Sequence, residues 1–182
     1  STNLAEDQQG DGFFFRTACR NDSQGVLVGV YFSDPEFLGA SSAYIVHDNE
    51  TYGTDLALKA ESFLVVADLQ VTVTSVDRGT VDFSDLASEI AQANPDAMFF
   101  AGFNPEAILL LRQLRDAGWN GAYTSGDAVC GAANCEFLAA LGDLAKGAAF
   151  SGCSPPLDAA FISQFTVVHG DEPTAAFVAQ YH

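Results

Sequence analysis

Positive charge is scarce in this chain. Its 182 residues carry 7 Lys and Arg against 24 Asp and Glu, a formal net charge of -17. Such a surface repels phosphate backbones and offers no basic patch to anionic lipid, so neither nucleic acid nor a lipid surface is expected as a partner. The excess acid reads first as a solubility surface, with a high-salt habitat as the sharper alternative. Long apolar runs are missing as well: none approaches the ~20 residues of a membrane span. The opening residues, STNLAEDQQGDG, carry no signal-peptide pattern and read as mature or mid-protein sequence.

Signatures of catalysis are equally sparse. There is no G-x-S-x-G elbow, no G-x-x-x-x-G-K-[ST] or G-x-G-x-x-G loop and no H-E-x-x-H pair. His47-Asp48 is a lone dipeptide, and a general base needs a nucleophile beside it. His47, His169 and His182 are scattered, so the cysteines lack the further ligands that zinc requires. The chain is expected to be no enzyme and to use neither cofactor nor metal. Its four cysteines are Cys19, Cys130, Cys135 and Cys153. The C-x4-C spacing of Cys130 and Cys135 in CGAANC suits a local disulfide, with free core thiols as the alternative. Cys19 and Cys153 form a second bridge if their strands are neighbours. An even count fits an oxidising compartment.

What the chain does have is apolar residues in abundance, 48% hydrophobic and 12% aromatic, enough for one globular domain. Short apolar runs begin near Ala43 (AYIVHD), Leu69 (LQVTVTSV), Ala97 (AMFFAG), Ala122 (AYTSGD) and Gly147 (GAAFSG), and each reads as a buried strand. Helical patterns lie between them. Thr51 to Val66 puts Leu56, Ala60, Phe63 and Leu64 on one face. A second runs from Phe83 through Leu86 and Ile90 to the Asn94-Pro95 breaker. A third opens at Pro105 and stops at Gly118, and a short one spans Glu136 to Leu144. Earlier, GFFFRTAC (12–19) reads as a strand, and Asn21-Asp22-Ser23 as the N-cap of a helix over QGVLVGVYF. Ser154-Pro155-Pro156 breaks the rhythm, and helical pieces come after it, from Leu157 to His169 and from Pro173. Strands alternating with helices at this spacing predict an α/β fold of three layers, αβα, around a mainly parallel sheet.

In open α/β sheets a ligand sits beyond the carboxyl ends of the strands. Those ends carry His47 to Gly53, then Phe103-Asn104-Pro105-Glu106, then Asp127 to Cys130, then Cys153-Ser154. An aromatic, an amide and a carboxylate converging there suit a polar-tipped pocket for a small molecule. Tyr52, Phe103, Asn104 and Asp127 are therefore the candidate binding residues. Each has a plainer role open to it: Tyr52 as a packed residue of a helix start, Phe103 as core, Asn104 and Asp127 as caps. Asp48 reads as structural.

The segments FFFRTACRNDSQG (13–25), IVHDNETYGTDLA (45–57), VDFSDL (81–86), PDAMFFAGFNPEAILLLRQLRDAG (95–118), SGDAV (125–129) and EFLAALGDLAKGAAF (136–150) resemble, in order and spacing, the type 1 periplasmic solute-binding proteins. The resemblance is to their leucine/isoleucine/valine-binding family of ABC transporters, and to the second lobe only. It implies two α/β lobes that close on a ligand, with the first lobe missing here. It divides the chain into a crossover segment and first strand (1–18), the α/β lobe (19–153) and a C-terminal helical segment (154–182) that reads as cut short. Its function would be capture of an amino acid or similar small polar ligand outside the cytoplasm, in the periplasm or at the cell surface, where a lipid anchor would lie on an N-terminus absent here. Its partners would be the ABC transporter's membrane subunits. The family's aromatic at the YG motif falls on Tyr52, its next contact on Phe103 or Asn104, and the acid that pairs with the ligand's α-ammonium on Asp127. Asp127 is one methylene shorter than the Glu of some relatives, and Asn104 replaces an aromatic, which leaves the ligand's side chain open. The alternatives are a single-lobe interaction subunit of a larger assembly and the sensing domain of a membrane receptor.

Overall fold

The structure, a computed structural model, describes residues 20–130, 135–152 and 159–170. Helix α1 (Asn21–Ser33) leads into β1 (Ser42–His47), α2 (Thr51–Val66), β2 (Gln70–Ser75), α3 (Ser84–Ala93), β3 (Ala97–Ala101) and α4 (Asn104–Asp116). Then come β4 (Ala122–Ser125), α5 (Glu136–Leu141) with a 3-10 turn (Gly142–Ala145), β5 (Ala149–Phe150) and α6 (Ala159–His169). The strands form one sheet in the order β2-β1-β3-β4-β5, every pair parallel. Ile45 stands beside Val73 on one side and Phe99 on the other, and Phe99 beside Thr124. The α/β architecture expected from the alternating pattern is thus present. The expected strand over 12–19, the helical piece from Pro173 and the Cys19 to Cys153 pairing lie outside the described residues.

Two cores flank the sheet, because successive strand residues point to opposite faces. Tyr44, Val46, Met98, Phe100 and Tyr123 pack under α3, α4 and α5, against Ile90, Leu110, Leu114 and Phe137. Ala43, Ile45, Ala97 and Phe99 pack under α1 and α2, against Val28, Phe32, Leu56 and Leu64. β3 is buried along its whole length, which is why AMFFA has no polar residue. Gly25 and Gly29 let α1 lie close to α2: a Cβ on either would stand 2.8 Å from Lys59 or Phe63.

Three details depart from the sequence reading. β2, expected to be buried, is an edge strand, partly exposed along its length. Its alternation of Gln, Thr and Ser with Val is the pattern of a half-covered strand. Phe63, assigned to the buried face of α2, is 39% exposed and rides over Gly29 instead. Neither Asn21 nor Asn104 caps a helix. Both are the first residues of their helices, the caps are Arg20 and Phe103, and no side-chain cap bond forms. Asn21 donates to Asp55 Oδ2 at 2.7 Å instead.

At the amino ends of the strands Asp96 ties β1 to β3. Its Oδ2 accepts from the backbone N–H and hydroxyl of both Ser41 and Ser42, at 2.8–3.0 Å. These bonds, the Ser41 N–H foremost, hold the Asp96 carboxyl below its ordinary value of 3.8. A lowered carboxyl stabilises the fold above that value and loses its effect as pH falls through the folded-state value. Asp96→Asn is expected to lower the thermal midpoint by a few degrees at neutral pH. The gap should close in acid. A gap that persists below the folded-state value would contradict the assignment.

Candidate functional site

The strand order reverses between β1 and β3. The chain leaves β1 toward β2 and returns past it to β3, so the loops after β1 and β3 diverge and leave a crevice. Tyr52, in the first turn of α2, and Phe103, just after β3, meet there with ring centroids 5.3 Å apart, tilted by 49°. The Tyr52 hydroxyl donates to Asp127 Oδ1 at 3.0 Å. Gln24 Nε2, from the first turns of α1, donates to the same oxygen at 3.0 Å. Gln24 Oε1 in turn accepts from Ser151 Oγ at 3.0 Å and from the Asp127 N–H at 3.4 Å. Among the described residues nothing bonds Asp127 Oδ2. One carboxylate oxygen is thus held by two neutral donors, from Tyr52 and Gln24.

Three of the four candidate residues, Tyr52, Phe103 and Asp127, therefore form one contact chain. Asn104 is partly buried beside them, and its Oδ1 is buried without a hydrogen-bond partner. Burial raises the Tyr52 phenol, as does the Asp127 charge, so Tyr52 stays a neutral donor. Gly126 keeps this arrangement possible: a Cβ there would stand 2.6 Å from the Tyr52 hydroxyl and 3.3 Å from Gln24 Oε1.

Sequence reasoning missed two participants. Gln24 is a buried polar residue at the head of an otherwise apolar stretch, QGVLVGVYF, and that contrast was the available signal. Arg78 lies after β2, a strand end that contributes none of the candidate residues. It reaches Glu106 Oε1 at 3.3 Å and Asp48 Oδ2 at 3.7 Å, and its guanidinium sits 4.3 Å from the Phe103 ring centroid. Asp48 does have the structural role expected of it: Oδ1 accepts from the Glu50 N–H at 3.1 Å at the start of α2. Its burial raises its carboxyl above the ordinary range.

Cys130 and Cys135 are disulfide-bonded, as the spacing suggested, and close a short loop directly after the Asp127 turn. A loop this short is worth about 2 kcal/mol by chain entropy. Cys130→Ser with Cys135→Ser is expected to cost up to that amount in chemical denaturation. An unchanged denaturation midpoint would mean that the bridge does not hold the loop. An apolar groove of about 400 Å³, walled by Leu27, Val30, Tyr31, Phe37 and Phe150, lies along α1 and β5 and contains no charged group, so it does not match the polar chemistry at the crevice. Among the described residues no cluster of His, Cys, Asp and Glu could hold a metal, and no helix is long and apolar enough to cross a membrane.

A family model described as periplasmic binding protein matches residues 1–181. The chain belongs to that family. Periplasmic binding proteins similar to it include the Leu/Ile/Val-binding protein homolog 1 of Brucella abortus, 34% identical over 148 residues, which are 81% of this chain and 38% of that protein. The leucine-binding protein LivK of Thermotoga maritima superposes with a TM-score of 0.77 at 26% identity, covering 96% of this chain and 50% of that one. The branched-chain amino acid substrate-binding protein LivJ of Streptococcus pneumoniae, solved with isoleucine, gives a TM-score of 0.77 at 20% identity, covering 98% and 51%, and supports the fold alone. The chain thus spans about half or less of the length of these relatives. Their fold is that of the type 1 periplasmic binding proteins, and they are solute-binding proteins rather than enzymes.

Proposed function

We propose that this chain is the second lobe of a two-lobed binding protein that captures an amino acid or a similar small polar ligand. It would deliver that ligand, outside the cytoplasm, to the membrane subunits of an ABC-type importer. The observation that carries the reading is Asp127: a carboxylate just after β4, next to the crevice, with one oxygen oriented by Tyr52 and Gln24. A ligand's α-ammonium would pair with the other oxygen. Because Tyr52 and Gln24 already fix the carboxylate, little side-chain entropy is lost on binding. Closure of the other lobe would exclude water and strengthen a charge-assisted bond of this kind. Tyr52 and Phe103 would supply the apolar wall and Asn104 a polar contact. Reversible capture needs no group that breaks a bond. The names of the Brucella and Thermotoga relatives support an amino acid as the cargo. A lipid anchor on an N-terminal segment is one way such a protein would be kept at the cell surface.

The test is calorimetric titration of the full-length, two-lobed protein with L-leucine, L-isoleucine, L-valine and a set of polar amino acids. Saturable binding of one molecule per chain supports the reading. Absence of heat and of thermal stabilisation with every one of them overturns it.

A further inference from the structure

Phe103 has a second neighbour that the ligand-binding reading does not use. The Arg78 guanidinium lies over its ring, 4.3 Å from the centroid, a cation–π distance. Arg78 is itself held at two points, by Glu106 at 3.3 Å and Asp48 at 3.7 Å. Both carboxylates are almost fully buried, with side chains 2% and 0% exposed, while Arg78 is 42% exposed. Each also retains an oxygen without a hydrogen-bond partner, Asp48 Oδ2 and Glu106 Oε2, so Arg78 is the cation that compensates them. The loop after β2 that carries Arg78 is fastened to α4 as well. The Gly79 N–H donates to Glu106 Oε1 at 2.7 Å, the Phe83 N–H to Gln113 Oε1 at 2.7 Å, and Gln113 Nε2 to the Val81 carbonyl at 3.1 Å. A contact chain therefore runs along the crevice: Gln24 and Asp127, then Tyr52, then Phe103, then Arg78 on its two buried acids.

We propose that Arg78 is a positioning residue of the ligand wall, holding the Phe103 ring against Tyr52 and thereby setting affinity without touching the ligand. The inference rests on the reading of this crevice as an amino-acid site. Phe103 lies between the end of β3 and the start of α4, so its backbone is fixed at both ends while its side chain is only partly buried. A partly exposed ring keeps rotamer freedom unless something covers it. The fork of Arg78 does so because a planar guanidinium can stack on the ring and still present its edge to Asp48 and Glu106. A lysine would keep the charge over the acids but not the stacked plane.

The test is a double-mutant cycle on the full-length protein, with L-leucine as probe. Arg78→Met and Phe103→Leu are each expected to weaken L-leucine binding about tenfold, the scale of one cation–π contact. If Arg78 acts through Phe103, the double variant binds no more weakly than Phe103→Leu alone. Arg78→Lys, which also serves if the Met variant does not fold, should retain the thermal midpoint and lose affinity. Additive losses in the cycle, or an Arg78→Lys protein with unaltered affinity, overturn the proposal. So does a Phe103→Leu protein that binds as the wild type does. Wild-type protein that ignores L-leucine and every other amino acid of that titration overturns the binding reading, and the inference with it. Wild-type binding that Asp127→Asn abolishes, alongside an additive Arg78 cycle, removes the inference alone.

Discussion

Asp127→Ala in the full-length protein is expected to weaken amino-acid binding by roughly 2 kcal/mol or more, about 30-fold. The loss would come from leaving a ligand's buried ammonium without its counter-charge in the closed, drying cleft proposed above. Alanine also strips the acceptor from the Tyr52 hydroxyl and Gln24 Nε2, so part of any change in stability will be structural. Asp127→Asn separates the two effects. Its carbonyl oxygen can still accept from Tyr52 and Gln24, while the charge is gone. The Asn variant should therefore melt near the wild type and bind nearly as poorly as the Ala variant. An Asn variant with full affinity would show that the charge of Asp127 plays no part in recognition.

The largest effect on stability is expected at Gly53→Ala. Gly53 stands next to Tyr52 in the first turn of α2 and is buried. A methyl group there would collide with the Asp48 carboxylate oxygen Oδ1 and with the Ala101 carbonyl oxygen. Neither can retreat easily. Asp48 Oδ1 receives the Glu50 N–H that starts α2, and the Ala101 carbonyl receives the Asp48 N–H at 3.2 Å. Overpacking costs about 1–3 kcal/mol, and two clashes with held oxygens put Gly53→Ala at the upper end of that range. The same displacement would move Tyr52, so affinity should fall with stability. Gly152→Ala is the control, because a Cβ there meets nothing within 4 Å. It should stay within about 0.5 kcal/mol of the wild type in chemical denaturation. Equal stability of the two variants would mean that the Tyr52-Gly53 turn is not packed as described.

The sheet was legible because a strand buried on both faces needs an unbroken apolar run, and AYIV and AMFF supply one. The edge position of β2 was legible in principle from its alternating QVTVTS, a signal that apolar content alone does not carry. The crevice was legible from the residues at the carboxyl ends of the strands. Those ends bring together residues far apart in sequence, such as Tyr52 and Asp127, only because parallel strands finish on one side. Gln24 lies outside this logic, since it reaches the site from a helix that precedes the first described strand. Arg78 lies within it, but one arginine in a polar loop after β2 carries no sign of the buried acids it meets. Helix starts were the least legible feature. Asn21 and Asn104 are good capping residues by type, yet Arg20 pairs with Asp22 beside one, and the other buries its oxygen at the crevice.

On the proposed reading, this lobe would hold a small ammonium-bearing ligand through Asp127. The most direct test is the native mass of the full-length protein, purified without denaturation, for the wild type and for Asp127→Asn. The wild-type mass should exceed the polypeptide by one small molecule, identifiable as an amino acid or close relative, and the Asn variant should have lost it. A wild type that carries and accepts no such molecule, or a variant that retains it as tightly, would rule out Asp127 as the ligand's counter-charge.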